Sequence, residues 1–174
     1  MKRKAGPLAL ALVLGGCSWF GGSDVEPPAA LVDFEPSAVI KEVWSVDIGT
    51  GPDRQYLRLG AARHGDPLYT VDVRGRVHAL AQEDGKERWR PDLGLEISGG
   101  VGFGDDLVLV ASRKGDVVAL DKSKGQQLWR AQVASEVLAP PAADAGVVVV
   151  QSVDGKLTGL ESATGKRLWT LDRS

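Results

Sequence analysis

The chain has a single cysteine, Cys17, a single methionine, and only two histidines, His64 and His78, among its 174 residues. One cysteine rules out an internal disulfide and a multi-cysteine metal site, and two histidines leave little for a histidine-based catalytic centre. No basic excess exists either: 21 Lys and Arg stand against 23 Asp and Glu, a formal charge of -2. That balance lacks the cationic footprint of a nucleic-acid binder, so no nucleic-acid partner is expected. A long hydrophobic run is also missing. The stretch Leu8 to Leu14 is an apolar run of seven residues, far short of the roughly 20 that a membrane-crossing helix needs. Neither a phosphate-binding P-loop nor a dinucleotide fingerprint is present, so no nucleotide cofactor is expected.

What is present is glycine, 22 residues of it, together with short runs of Val and Leu in a chain that is 43% hydrophobic and 25% charged. That is enough apolar material for a real core, and many brief apolar runs punctuated by turn residues predict an all-β class.

The first residues read as an address. Lys2-Arg3-Lys4 is a positive leader, the run Leu8 to Leu14 follows, and Leu14-Gly15-Gly16-Cys17 places small residues just before the cysteine. This is a signal-peptide plan, and its end resembles the bacterial lipobox, in which cleavage precedes the cysteine and that residue is acylated. Residues 1–16 are expected to be a lipoprotein signal peptide and Cys17 the lipid attachment site. A mature chain starting there keeps 18 basic residues against 23 acidic. Ser18, in a position where aspartate retains such proteins at the inner membrane, favours the outer membrane by analogy. Several acyl chains on one residue anchor a soluble domain stably, because each buried methylene contributes about 0.8 kcal/mol. Residues 17–36, with Gly21-Gly22, Pro27-Pro28 and Pro36, carry no sustained apolar period and read as a flexible tether.

From residue 37 onward the chain repeats. Trp89, Trp129 and Trp169 stand forty residues apart, as do Gly85, Gly125 and Gly165, Gly75, Gly115 and Gly155, and Leu80, Leu120 and Leu160; Ala79, Ala119 and Gly159 form a small-residue column. In each copy an apolar run (Leu68 to Val73, Val108 to Ala111, Val147 to Val150) meets a turn glycine, and a second short strand ends at the repeated leucine. A polar loop then turns the chain into a third strand carrying the tryptophan, and Ile97 to Gly102 and Val137 to Ala142 lead into the following copy as a fourth, inner strand. Four short antiparallel strands per forty residues describe a β-propeller blade. Leucine-rich and helical repeats have other periods, and WD40 repeats place Asp after the tryptophan, where this chain has Arg90, Arg130 and Thr170.

The docking hexapeptides Asp84-Gly85-Lys86-Glu87-Arg88-Trp89, Lys124-Gly125-Gln126-Gln127-Leu128-Trp129 and Thr164-Gly165-Lys166-Arg167-Leu168-Trp169 resemble the tryptophan-docking motif of pyrroloquinoline-quinone-type propeller repeats. Together with the lipobox, the pattern resembles the family of outer-membrane protein assembly factors over essentially the whole chain. The resemblance implies an eight-bladed propeller of which residues 37–174 supply about three blades of an incomplete ring. It also implies a non-catalytic, lipid-anchored scaffold on the periplasmic face of the outer membrane. Its partners would be the barrel-bearing subunit of the β-barrel assembly machinery and unfolded outer-membrane proteins. In that family an N-terminal strand completes the last blade, and Val43 to Gly49, carrying Trp44, resembles it. The family's partner-contacting loop lies beyond Asp172, so no partner-binding residues are assigned. The chain stops at Ser174, five residues after Trp169, and a longer parent protein is expected.

The tryptophans and turn glycines are read as structural repeat positions: an indole between blades buries a large apolar ring and donates its N–H to a neighbouring backbone. His78 occupies a column otherwise filled by Val118 and Thr158 and is expected on a strand surface, and Asp105-Asp106 is expected to form a hairpin turn. The competing readings are a propeller lipoprotein with another binding partner and a fragment of a periplasmic quinone-cofactor dehydrogenase, whose family pattern includes an asparagine, acidic metal ligands and often adjacent cysteines. This chain has no asparagine, and no cofactor is expected.

Overall fold

A computed structural model describes residues 28–33 and 35–172. Cys17 and the leader lie outside the described residues. Contacts divide the chain into two units, residues 1–40 and residues 41–174; among the described residues every strand belongs to the second. Among the described residues no helix is long and apolar enough to cross a membrane.

Among the described residues twelve strands follow one another in chain order: β1 (Ala62–Arg63), β2 (Leu68–Val71), β3 (Val77–Leu80), β4 (Glu87–Trp89), β5 (Ile97–Gly104), β6 (Leu107–Ser112), β7 (Asp116–Asp121), β8 (Gln127–Gln132), β9 (Ala142–Asp144), β10 (Val147–Gln151), β11 (Lys156–Glu161) and β12 (Arg167–Asp172). They form three four-stranded antiparallel sheets, β1-β2-β3-β4, β5-β6-β7-β8 and β9-β10-β11-β12. These are blades 1, 2 and 3 of a propeller. Each blade repeats one irregularity: the register between its third and fourth strands shifts at Ala79/Leu80, at Ala119/Leu120 and at Gly159/Leu160. The shift sits beside the pairs Ala79↔Trp89, Ala119↔Trp129 and Gly159↔Trp169. A bulge at one register in each copy bends the outer strand in the same way.

Alternation assigns each strand residue to one of two faces. The face carrying the tryptophan, here the forward face, holds Leu107, Leu109, Ala111, Val117 and Ala119 in blade 2; these pack with Val148, Val150 and Leu160 from the reverse face of blade 3. The forward face of blade 1, with Tyr69, Val71, Val77 and Ala79, packs in the same way on Val108, Val110, Val118 and Leu120. The core is therefore two interblade layers, not one central cluster. The inner strand β5 is nearly all buried. A Cβ on Gly102 or Gly104 would overlap the backbone of Pro141 or Ala143 in the next blade, and one on Gly99 would lie 2.6 Å from the Val137 carbonyl oxygen. Absence of side chains there lets two inner strands approach backbone to backbone.

Three expectations change. The inner strand of blade 3 begins at Ala142, not Val137, because Pro140 and Pro141 lack the N–H that a ladder requires. Residues 43–49 form no strand, since among the described residues no other strand lies alongside to pair with them. His78 is 4% exposed instead of surface-lying: its column is the reverse face, and Val118 and Thr158 beside it in register are buried too. Asp105 and Asp106 form the turn joining β5 to β6, at φ of 48° and 60°.

Candidate functional site: the tryptophan docking register

The repeat places each indole on the following copy. Trp89 Nε1 donates to the Lys122 carbonyl at 3.2 Å, and Trp129 Nε1 to the Ser162 carbonyl at 2.7 Å. Both acceptors lie 33 residues after the donor, on the loop that ends in the motif glycine. Each ring rests on that glycine, and a Cβ there would come within 2.5 Å of Trp89 Cε3 at Gly125 and of Trp129 Cε3 at Gly165. The same glycines hold φ of 69° and 72°, so backbone conformation and ring contact independently demand glycine. Burial is deepest in the middle: Trp129 is 7% exposed.

Trp44 occupies the equivalent seat on blade 1 without belonging to a strand. Its Nε1 donates to the Gln82 carbonyl at 2.8 Å, and its ring lies over Gly85, within 2.6 Å of where a Cβ would stand. Trp169, in the same register on blade 3, is 42% exposed and lies back over Gly159 of its own blade. Thus Trp44, Trp89 and Trp129 each dock on a motif glycine, while Trp169 stands on an open face.

Side chains that the repeat columns do not reveal reinforce the seats. Asp105 accepts from Gly146 N and from Ser162 Oγ, both at 2.8 Å, and so ties the β5–β6 turn to the loop that Trp129 grips. Its sequence signal was only that of a turn. Each β2–β3-type hairpin also has a buried polar residue at its entrance. Asp72 Oδ1 accepts from Arg74 N and Arg76 N at 3.0 Å and its Oδ2 from Arg76 Nε at 2.8 Å. Burial acts to raise the Asp72 pKa, but the Arg76 and Thr50 hydrogen bonds outweigh it and hold the carboxyl below the usual carboxylate range. Forty residues on, Ser112 Oγ donates to Asp116 Oδ2 at 2.7 Å and Arg130 pairs with Oδ1 at 2.9 Å. Burial again opposes ionisation, and the Ser112 and Arg130 bonds lower the Asp116 pKa. These are turn-fixing carboxylates: Asp116 is held within its own blade, and Asp72 by its own hairpin and by Thr50 N, which precedes blade 1.

His64 stacks on Phe103 at 5.3 Å, and His78 Nδ1 lies 3.1 Å from Glu87 Oε2. The two histidines are on separate contacts and share no centre. Among the described residues no group of three or more His, Cys, Asp or Glu is arranged to hold a metal ion. A cavity of about 540 Å³ between blades 1 and 2 is lined by Tyr69, Arg88, Trp89, Asp106 and Lys122 among others; Lys122 and Trp89 there are already bonded to each other through the docking contact.

Three antiparallel blades joined by tryptophan-to-glycine docking define a propeller of the pyrroloquinoline-quinone-repeat class. The sequence signature described as outer membrane protein assembly factor BamB matches residues 41–95 and 73–174, and the chain belongs to that family. The BamB of Pseudomonas aeruginosa is 43% identical over 110 residues, 63% of this chain and 29% of that protein. Among solved structures, BamB from Moraxella catarrhalis superposes with a TM-score of 0.62 at 26% identity, covering 66% of this chain and 35% of that one. A europium-containing methanol dehydrogenase superposes at a TM-score of 0.56 and 18% identity, over 64% of this chain and 24% of its own; that likeness is one of fold alone. The chain spans about three-tenths of the length of the curated relatives it matches.

Proposed function

We propose that this chain works as a non-catalytic scaffold in the assembly and insertion of outer-membrane proteins, lipid-anchored through Cys17 at the periplasmic face of the outer membrane. The observation that carries the reading is the family match across residues 41–174, whose curated relatives are named for outer-membrane protein assembly. The docking geometry supports it, because three indoles and their glycine seats serve blade packing and leave a rigid platform for loops. Function is then positional: the lipid holds the platform at the membrane, and the loops meet the barrel-bearing subunit of the assembly machinery. Unfolded outer-membrane proteins would be held in passing, and no turnover takes place. Residues 1–16 serve as the signal peptide and residues 17–36 as the tether.

The test is crosslinked co-purification of the lipoprotein from its own membranes, beside a Cys17→Ala variant. Recovery of the barrel-bearing subunit with the wild type is expected. Failure to recover it, under conditions that recover other lipoproteins of the same machinery, overturns the reading. Binding of a quinone cofactor with dye-linked oxidation of an alcohol would overturn the non-catalytic part.

A further inference from the structure

The two seams between blades are built in one register but not from the same residues. At the seam of blades 2 and 3, Asp105 closes the rim: its carboxylate accepts from Gly146 N and Ser162 Oγ, and Ser162 N donates to the Gly146 carbonyl at 2.9 Å. Forty residues earlier, at the seam of blades 1 and 2, the matching bond runs from Lys122 N to the Asp106 carbonyl at 3.1 Å. Asp106 and Lys122 therefore stand where Gly146 and Ser162 stand. The position of Asp105, however, falls on Gly65, and nothing lies within 4 Å of where a Cβ on Gly65 would be. The first seam has the donors of a clamp without its carboxylate.

The cavity of about 540 Å³ lies at this seam, within the size range of ligand sites and between two blades whose four strands are all described. Its walls depart from the repeat, with Pro67, Tyr69 and Arg88 where the second seam has Leu107, Leu109 and Leu128. Trp89 is only half-buried, whereas Trp129 is 7% exposed. Tyr69 Oη and Trp89 Nε1 both donate to the Lys122 carbonyl, so a phenol and an indole stand side by side in the floor. The charges around it are unequally paired. Asp121 Oδ1 accepts from Ser123 N, Ser123 Oγ and Lys124 N, and Asp66 is bonded to Arg88. The Lys122 side chain is 24% exposed, and its ammonium meets Asp106 Oδ1 only at 4.0 Å, on a side chain that is 98% exposed. A half-buried ammonium gains most from an anion that reaches it directly, because such bonds are charge-assisted.

We infer that this cavity binds a carboxylate side chain on an extended segment of a partner protein, the carboxylate standing at the first seam where Asp105 stands at the second. Lys122 Nζ then replaces the Ser162 hydroxyl as donor, and Asp106 N corresponds to Gly146 N. The Tyr69 and Trp89 rings receive the apolar residue beside the acid. A free small acid would fill a fraction of the volume and leave those rings uncovered. The second seam needs no such partner, because its carboxylate is built in. The site is independent of the assembly reading above, since its test involves no barrel-bearing subunit.

The test is titration of the nitrogen-15-labelled full chain with the capped dipeptide N-acetyl-Asp-Phe-amide, read on the indole N–H resonance of Trp89. A saturable shift is expected, with the Asn analogue of the peptide binding about tenfold more weakly or worse, the loss expected when a charged hydrogen-bond partner is removed. Lys122→Met should abolish that discrimination, and Lys122→Arg should keep it. Gly65→Asp supplies the clamp carboxylate from the chain itself, at a φ of 77° that aspartate tolerates better than most residues. It should weaken the Asp peptide by about tenfold or more. No saturable shift, or equal binding of the two peptides, overturns the proposal, as does a Lys122→Met variant that still tells them apart. Undiminished binding to a Gly65→Asp variant that is folded by circular dichroism overturns it equally; should that variant not fold, the Lys122 pair decides. Saturation by acetate at the same concentration as the peptide would make the ligand a free small carboxylate and refute the partner segment.

Discussion

Replacing Trp129 by alanine is the perturbation that most directly measures what a docking tryptophan contributes. The side chain is 7% exposed, inside the layer formed by Leu109, Val117, Val148 and Leu160, and a buried tryptophan removes on the order of 200 Å² from water. Truncating a buried Trp to Ala costs about 3–5 kcal/mol once the residual cavity is included. The lost bond to the Ser162 carbonyl at 2.7 Å is part of that, since a buried acceptor left without a donor costs about 1–3 kcal/mol. Trp169→Ala is the internal control: at 42% exposure it leaves an open dent, not a cavity, and should cost less than half as much. Urea titrations followed by far-ultraviolet circular dichroism, extrapolated linearly to water, give both numbers. Because a whole domain is worth about 5–15 kcal/mol, Trp129→Phe belongs in the series; it retains most of the packing and should cost about 1–2 kcal/mol for the missing donor. Equal losses at positions 129 and 169 would refute the idea that docking on the next blade, and not position within its own strand, makes the residue matter.

Gly125→Ala should cost at least about 1–3 kcal/mol more than Gly146→Ala, measured by the same titration. Both hold left-handed φ, 69° and 82°, but a Cβ at 125 meets the Trp89 ring at 2.5 Å whereas nothing lies within 4 Å at 146. Lowering the pH should erode stability through Asp72 and Asp116. Both carboxyls sit below their ordinary value in the folded chain, so their contribution is complete above the unfolded value of about 3.9 and is lost as pH falls through the lower folded value. Asp116→Asn should flatten that acid limb in a pH series of thermal melts, and an unaltered limb would sink the assignment. Cys17→Ala should shift the protein from the membrane pellet to the soluble periplasmic fraction; retention in the pellet would refute the anchor.

Much of the architecture was legible because the repeat is written at one spacing. A forty-residue period in Trp, Gly and Leu implies four short strands, and the β-rich composition leaves few alternatives. Turn positions were legible too, since Gly75 and Gly115 hold the positive φ that hairpin turns require. Strand limits were less so: Pro140-Pro141 delays β9, although an apolar run starts at Val137. The burial of His78 was missed because a single column cannot tell which face of a blade another blade covers. Val118 and Thr158 in the same column looked equally compatible with a surface.

The sequence by itself determined the period, the blade class, the docking residues and the family, because these depend on residue types recurring at fixed separations along the chain. Only the tertiary structure decided which residues each indole meets. It paired Trp89 with Gly125, Trp129 with Gly165 and Trp44 with Gly85, made Asp105 an interblade clamp, and left Trp169 on an open face. Those outcomes depend on blades stacking one after another in space, a relation between residues 33 to 57 positions apart that no local pattern encodes.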